Sequence, residues 1–195
     1  MLKRKPALGL MLVISAPSGT GKTTLSHRLF KDMPGLVYSV SATTRPPRKG
    51  ERNGREYFFF TVEEFREKIK KDFFAEWARV YGHYYGTPKK FLSLNLRKGR
   101  DVFLDLDVQG ALKIKKRYPE ATLIFISPPS IARLKERIIR RHQDNRRSIA
   151  TRLANFAREM DKQKYYDYLI VNDNLSTALE QLKSIIVSEK LKLKH

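Results

Sequence analysis

The sequence predicts an α/β fold in which a parallel β-sheet, flanked by helices, carries a small inserted subdomain. Short apolar runs suited to buried strands recur along the chain, and each is followed by a segment with helical patterning. A phosphate-loop pattern directly follows the first of these runs. Residues 40–90 interrupt the repeat with prolines, glycines and an aromatic run, which indicates a partly antiparallel insertion.

The strand and helix predictions rest on where these apolar runs fall. Core strands are predicted at residues 10–15, 101–105, 122–126 and 168–171. Helices are predicted at residues 24–32, 62–71, 108–116, 131–141 and 175–191. A strand followed by a helix, several times over, is typical of a parallel sheet with helices on its faces.

Composition limits the class of protein. The chain has 195 residues, of which 41% are hydrophobic, and it has no cysteine, so disulfides and thiolate chemistry are excluded. No apolar run approaches the roughly 20 residues needed to cross a bilayer. The basic start leads through a short apolar stretch into the phosphate loop, so we expect no signal peptide and a cytoplasmic location.

The net charge of +20 comes from 40 basic and 20 acidic residues. Such a charge attracts polyanions: nucleotides, RNA, DNA or acidic membranes. It is also typical of a solubilising surface rich in ion pairs, as in heat-adapted proteins. Charge alone does not separate these interpretations.

The strongest motif is the phosphate loop between the first strand and the first helix. Its glycines let backbone N–H groups converge on a phosphate, Lys22 reaches the β- and γ-phosphates, and Thr23 offers a hydroxyl to Mg²⁺. The full pattern begins with glycine, where this chain has Ala16; alanine fits there if its φ is negative. The expected ATP-binding residues are Ala16, Pro17, Ser18, Gly19, Thr20, Gly21, Lys22, Thr23 and Thr24.

A second basic segment follows at residues 41–51. Arg45 and Arg48 lie three residues apart in a loop stiffened by Pro46 and Pro47. Guanidinium groups pair with phosphate oxygens in bidentate geometry, so this loop is a candidate phosphate-binding site. An exposed basic loop without a ligand is the alternative.

Several ordered motifs together resemble the guanylate kinase family over nearly the whole chain. They lie at residues 16–24, 40–48, 53–54, 57–59, 84–87, 104–110 and 166–173. The resemblance implies the reaction ATP + GMP ⇌ ADP + GDP, with dGMP as a further acceptor. Transfer would be direct and in line, with Mg²⁺ accompanying ATP and no covalent intermediate.

The resemblance also implies an acceptor site for GMP. Arg45, Arg48, Tyr57 and Tyr85 would hold the phosphate, Glu76 and Asp107 would accept from guanine N1–H and the 2-amino group, and Ser41 and Thr87 would face O6. A carboxylate there favours guanine, because adenine presents no matching pair of donors. The alternatives are a surface carboxylate at Glu76 and core packing for the two tyrosines.

Asp105 and Asp107 end an apolar strand, at the edge where ligands bind in open α/β sheets. We expect Asp105 to lie mainly near Mg²⁺, together with Thr23 and through water, and Asp107 mainly near the base. The division of roles between the two carboxylates stays open.

The resemblance implies that Arg137 and Arg141 bind ATP, that Arg152 stabilises the transferred phosphoryl group, and that Asn172 lies in the ATP site. The arginines would belong to a short helical lid. This segment contains further basic residues, so which arginine takes each role stays open. His142 stands where glycine is usual, and Arg146 and Arg147 stand where acidic residues are common.

The expected division of the chain is a core at residues 1–39, 91–132 and 156–195, a GMP-binding insertion at 40–90 and the lid at 133–155. Three other functions are possible: a non-catalytic interaction scaffold, an RNA-binding protein, and a kinase for a different small phosphate acceptor on the same fold. Lys22 and Thr23 argue against the scaffold, and the lack of an RNA-binding signature argues against specific nucleic acid partners. Oligomeric state is undecided.

Overall fold

The computed structural model describes residues 8–17, 19–80, 82–134 and 156–192. They fall into two compact units. The first takes in the described residues of Met1–Met11 and Gly35–Ala121, and the second those of Leu12–Pro34 and Thr122–His195. Within these described ranges, no helix is long and apolar enough to cross a membrane.

The structure contains the four predicted core strands, with ends that differ by at most one residue. In chain order the strands are β1 (Met11–Ser15), β2 (Val37–Tyr38), β3 (Ser41–Thr43), β4 (Tyr57–Phe59), β5 (Phe74–Val80), β6 (His83–Pro88), β7 (Val102–Asp105), β8 (Thr122–Ser127) and β9 (Tyr168–Val171). The two-residue β2 was not predicted, because so short a strand leaves no periodic pattern.

The helices also follow the prediction closely. They are α1 (Lys22–Asp32), α2 (Val62–Lys70), α3 (Lys89–Arg97), α4 (Val108–Arg117) and α5 (Leu175–Leu191), and a 3₁₀ helix spans Lys162–Tyr165. Residues 131–134 and 156–161 are helical as well. Helix α3 was not predicted, and Leu92 is its buried residue. The rest of the predicted helix at 131–141 lies outside the described residues.

The second unit is built on parallel strands in the order β1, β8, β9. Leu12 is aligned with Thr122, and Ile124 with Tyr168. Every residue of β1 and β8 is buried, which explains their continuous apolar sequences. Helices α1 and α5 contact each other, and Lys183 of α5 forms an ion pair with Asp32 at 3.2 Å.

The first unit contains a parallel pair, β2 and β7, and a mixed sheet in the order β4, β3, β6, β5. Strand β3 runs parallel to β4 and antiparallel to β6, and β5 runs antiparallel to β6. The mixed sheet lies within residues 41–88, where the sequence predicts a partly antiparallel insertion.

Helix α2 packs on the mixed sheet through Phe65. The Phe65 ring is fully buried and stacks on Phe74 at a centroid distance of 4.4 Å and on Tyr84 at 5.4 Å. The helix begins with a capping box, because Thr61 accepts from the Glu64 amide at 3.1 Å and Glu64 accepts from the Thr61 amide at 2.8 Å. The cap and the ring stack place α2 on the sheet.

Helix α4 lies along β5, the edge strand of the mixed sheet. The Lys113 ammonium donates to the Trp77 carbonyl at 2.5 Å. The Arg117 guanidinium donates to the carbonyls of Phe74 and Ala75, both at 3.3 Å. Side chains of α4 therefore satisfy carbonyls of the edge strand, which would otherwise be open to another chain.

Replacing Phe65 with alanine should destabilise the protein strongly. Removing a buried aromatic ring leaves a cavity and costs about 3–5 kcal/mol of unfolding free energy. Urea denaturation of F65A and of R66A measures this, because Arg66 is exposed on the same helix. Equal midpoints for the two variants would contradict the packing described for Phe65.

Candidate active site

The phosphate loop places a helix N-terminus beside a left-handed turn. Gly19 and Gly21 both have φ near +92°, a conformation that glycine adopts without strain. Gly21 is the N-cap of α1, so no side chain covers the first amides of that helix. Such a terminus attracts anions. Ala16 is absent from the positive-φ residues of the described chain, so the alanine fits the loop without backbone strain.

Asn172 holds this loop from the end of β9. Its side-chain Nδ2 donates to the Thr20 carbonyl at 2.7 Å, and its backbone amide donates to the Ser127 carbonyl at 2.8 Å. A Cβ on Gly21 would lie 2.7 Å from that Nδ2. Asn172, expected near ATP, is therefore buried against the loop and positions its backbone.

Of the predicted ATP-site threonines, Thr20 forms a hydrogen bond within the loop, whereas Thr23 and Thr24 are exposed. Thr20 donates from Oγ1 to the Pro17 carbonyl at 3.0 Å, which tightens the turn. Thr23 and Thr24 are exposed in the first turn of α1, and Lys22 is half-buried. Four predicted residues lie outside the described chain: Ser18, Arg137, Arg141 and Arg152.

Arg45 is held in place by Glu51. The Arg45 Nη2 donates to both carboxylate oxygens of Glu51, at 2.8 and 3.0 Å, and Nη1 donates to the Pro46 carbonyl at 2.8 Å. Glu51 also accepts from the Arg48 amide at 2.7 Å, whereas the Arg48 side chain is exposed. The hydrogen bond from Arg45 lowers the pKa of Glu51. Sequence reasoning assigned Glu51 no role, although it lies in the same loop.

Tyr57 and Tyr85 lie beside the Arg45 guanidinium. The Arg45 Cζ lies 5.4 Å from the Tyr57 ring centroid, and the rings of Tyr57 and Tyr85 meet edge to face at 6.0 Å. Burial and then the negative charge of Asp105 raise the pKa of Tyr57 to about 12. Its phenol therefore stays protonated at neutral pH and can donate to a phosphate oxygen.

Tyr38 is a further tyrosine near Asp105 and Tyr57 that was not among the predicted site residues. It ends β2, and its ring stacks on Phe103 of the neighbouring β7 at 6.2 Å. Although 38% of the residue as a whole is exposed, desolvation by the surrounding protein, followed by the negative charge of Asp105, raises the pKa of Tyr38, so this phenol also stays protonated. The unpredicted strand β2 explains why the sequence did not indicate it.

Glu76 is a buried carboxylate on β5, with 6% of the residue exposed. The Thr87 hydroxyl donates to its Oε1 at 2.7 Å. Burial, with a further contribution from Asp107, raises the pKa of Glu76 to about 7, although Thr87 and Lys113 oppose the shift. Since Thr87 has one proton to donate, here it orients Glu76, whereas the sequence prediction placed it at guanine O6.

Asp107 is the N-cap of α4 and accepts from the Gly110 amide at 3.0 Å. Asp105 lies two residues earlier, at the end of β7, where it is half-buried. Ser41 pairs in register with Tyr57 at the start of β3. The first unit thus contains all the residues predicted for the acceptor site.

The two residues predicted to lie near a metal are in different units: Thr23 in the first turn of α1, in the second unit, and Asp105 at the end of β7, in the first. Hydroxyl and carboxylate oxygens suit Mg²⁺, which keeps several waters and binds substrate phosphates rather than an all-protein cage. The described residues contain no group of three or more His, Cys, Asp or Glu side chains that could hold a metal.

Comparison with known proteins identifies the family of this chain. A family model described as guanylate kinase matches residues 9–189. The guanylate kinase of Caldanaerobacter subterraneus is 45% identical over 185 residues, covering 95% of this chain and 90% of the relative. That of Syntrophomonas wolfei is 46% identical over 187 residues, covering 96% of both.

A solved structure is also similar to this chain. The crystal structure of guanylate kinase from Anaplasma phagocytophilum matches with a TM-score of 0.79 and 34% identity, covering 95% of this chain and 88% of that one. The family resemblance and the α/β fold class predicted from sequence are thereby confirmed. The chain therefore belongs to the guanylate kinase family.

Proposed function

We propose that this protein transfers the γ-phosphoryl group of ATP to the phosphate of GMP, and also of dGMP, forming ADP and GDP or dGDP. A phosphate oxygen of the acceptor attacks the γ-phosphorus, the bond to the bridging oxygen breaks, and ADP leaves with that electron pair. The observation that carries the proposal is the buried Glu76 carboxylate, in a chain that also has a phosphate loop.

The donor nucleotide would bind the phosphate loop. The amides at the start of α1 and the Lys22 ammonium would surround the β- and γ-phosphates. Mg²⁺, held by Thr23 and, through water, by Asp105, would neutralise charge on the phosphates when bound. Arg137, Arg141 and Arg152 remain the proposed lid arginines at residues 133–155, and a lid that closes over both nucleotides would exclude water.

The acceptor phosphate would bind Arg45, Arg48, Tyr57 and Tyr85. The ion pair with Glu51 keeps the Arg45 guanidinium in place before GMP arrives, which lowers the entropy cost of binding. The protonated Tyr57 adds a neutral donor. Tyr38 is a further candidate donor on this side.

Guanine selectivity would come from Glu76 and Asp107, with Ser41 toward O6. The two oxygens of an ionised Glu76 accept from N1–H and the 2-amino group, whereas adenine leaves the buried carboxylate unmatched. An unmatched buried polar group is the strongest basis for rejecting a competing substrate.

A panel of acceptors tests the function directly. Purified protein with ATP and Mg²⁺ is given GMP, dGMP, AMP, UMP or CMP, and ADP release is measured. We expect GMP and dGMP to be phosphorylated far faster than the other three. No GDP from GMP, or equal rates with all five, would overturn the proposal.

Replacing Lys22 with alanine should lower kcat with ATP and GMP by about 10²–10³-fold, because a positioned charge on the reacting phosphates is lost. Steady-state kinetics measure the effect. K31A is the matched control, since Lys31 is exposed in the last turn of the same helix. Wild-type turnover in K22A would remove Lys22 from the site.

Replacing Glu76 with glutamine should reduce the preference for GMP over AMP. The amide has one acceptor oxygen, and its NH₂ opposes a guanine donor, so kcat/KM for GMP should fall by about 10–100-fold. The ratio of kcat/KM for GMP to that for AMP is the measurement. An unchanged ratio would place Glu76 outside base recognition.

The KM for GMP should depend on pH through Glu76. With a pKa of about 7, the carboxylate is mostly protonated at pH 6 and mostly ionised at pH 8, so KM should fall about tenfold over that interval. The E76Q variant corrects for titration of GMP itself. If both proteins show the same profile, Glu76 is not the titrating group.

A further inference from the structure

Gly110 packs against the carboxylate of Glu76. A Cβ added at Gly110 would lie 2.8 Å from Glu76 Oε2, 3.3 Å from Glu76 Cδ and 3.1 Å from Asp107 Oδ1. The first of these distances is shorter than carbon and oxygen atoms tolerate without a bond. Because glycine has no side chain, there is room beside it for Glu76 Oε2.

The backbone gives no reason for a glycine at this position. Gly110 lies in α4, a right-handed helix, and glycine inside a helix costs about 0.5–1 kcal/mol relative to alanine. Helix stability therefore favours alanine, and the close approach of Glu76 is what favours glycine.

The helix is held more firmly in this contact than the end of the Glu76 side chain, whose displacement would disturb the hydrogen bond from Thr87. Glu76 is buried, and Thr87 holds its other oxygen at 2.7 Å. On the helix side, Lys113 and Arg117 bond the carbonyls of the same strand, on both sides of Glu76. A methyl group at position 110 would therefore displace the carboxylate rather than the helix.

We propose that Gly110 is a positioning residue that sets selectivity for the guanine base by leaving room for the Glu76 carboxylate at the N-terminus of α4. This rests on the proposed function, in which Glu76 accepts from guanine. Thr87 holds Oε1 and the gap at Gly110 admits Oε2, so the two contacts fix the plane of the carboxylate. Two parallel hydrogen bonds to N1–H and the 2-amino group require that plane.

The G110A variant tests the proposal. A misplacement of about 1 Å in a positioned group can lower an enzyme's rate about 10²-fold. We expect the displaced carboxylate to raise KM for GMP about 10–100-fold. The KM for ATP should change less than twofold, and the preference for GMP over AMP should fall. G35A is the control, because a Cβ at Gly35 meets nothing within 4 Å.

A double-mutant cycle with E76A separates positioning from a general packing defect. Without the Glu76 carboxylate, the only close approach left to the added methyl is the 3.1 Å distance to Asp107 Oδ1, which a shift of a few tenths of an ångström relieves. G110A should therefore raise KM for GMP far less in the E76A background than in the wild-type background. The same loss in both backgrounds would overturn the proposal. Should G110A alone fail to fold, the proposal requires that E76A restore folding, and failure to do so would also overturn it.

The cycle also distinguishes this inference from the proposed function. If wild-type protein makes no GDP, the function itself is wrong. If wild-type protein prefers GMP and G110A keeps that preference with an unchanged KM, the function stands and the positioning role of Gly110 is wrong.

Discussion

The proposed acceptor site depends on keeping a carboxylate away from water. Burying an ionised carboxylate without partners costs several kcal/mol, and a raised pKa is the usual response. Glu76 shows this response, and it has a hydroxyl donor in Thr87 and a nearby cation in Lys113. In the proposed function, guanine supplies the hydrogen-bond donors that the buried carboxylate lacks. A base without those donors leaves the carboxylate unpaired, so the burial of Glu76 favours guanine.

In the proposed function, the two units bind phosphate in different ways. In the second, left-handed glycines and the Asn172 amide shape a backbone loop at the start of α1. In the first, an ion pair between Arg45 and Glu51 holds a side chain in place. Both arrangements are made by contacts within the protein, as expected where catalysis comes from positioning and charge stabilisation rather than from a nucleophilic side chain.

The features that depend on local sequence pattern were predicted well. Those that depend on contacts between distant residues were predicted less completely. Buried strands such as β8 read as apolar runs, and the phosphate loop has fixed spacing. The burial of Glu76 was not evident, because it neighbours the exposed Trp77 and its partners lie 11 or more residues away. Gly110 lies in a recognised motif, but its reason for being glycine is an oxygen on a different strand.

One measurement tests the central claim without relying on turnover. Titration of ¹³C-labelled glutamate carboxyls by NMR, with E76Q to assign the resonance, follows the ionisation of Glu76 directly. The account predicts a midpoint near pH 7 in the free protein and a lower one with GMP bound, because guanine donors stabilise the ionised form. A midpoint near the ordinary glutamate value, unchanged by GMP, would contradict it.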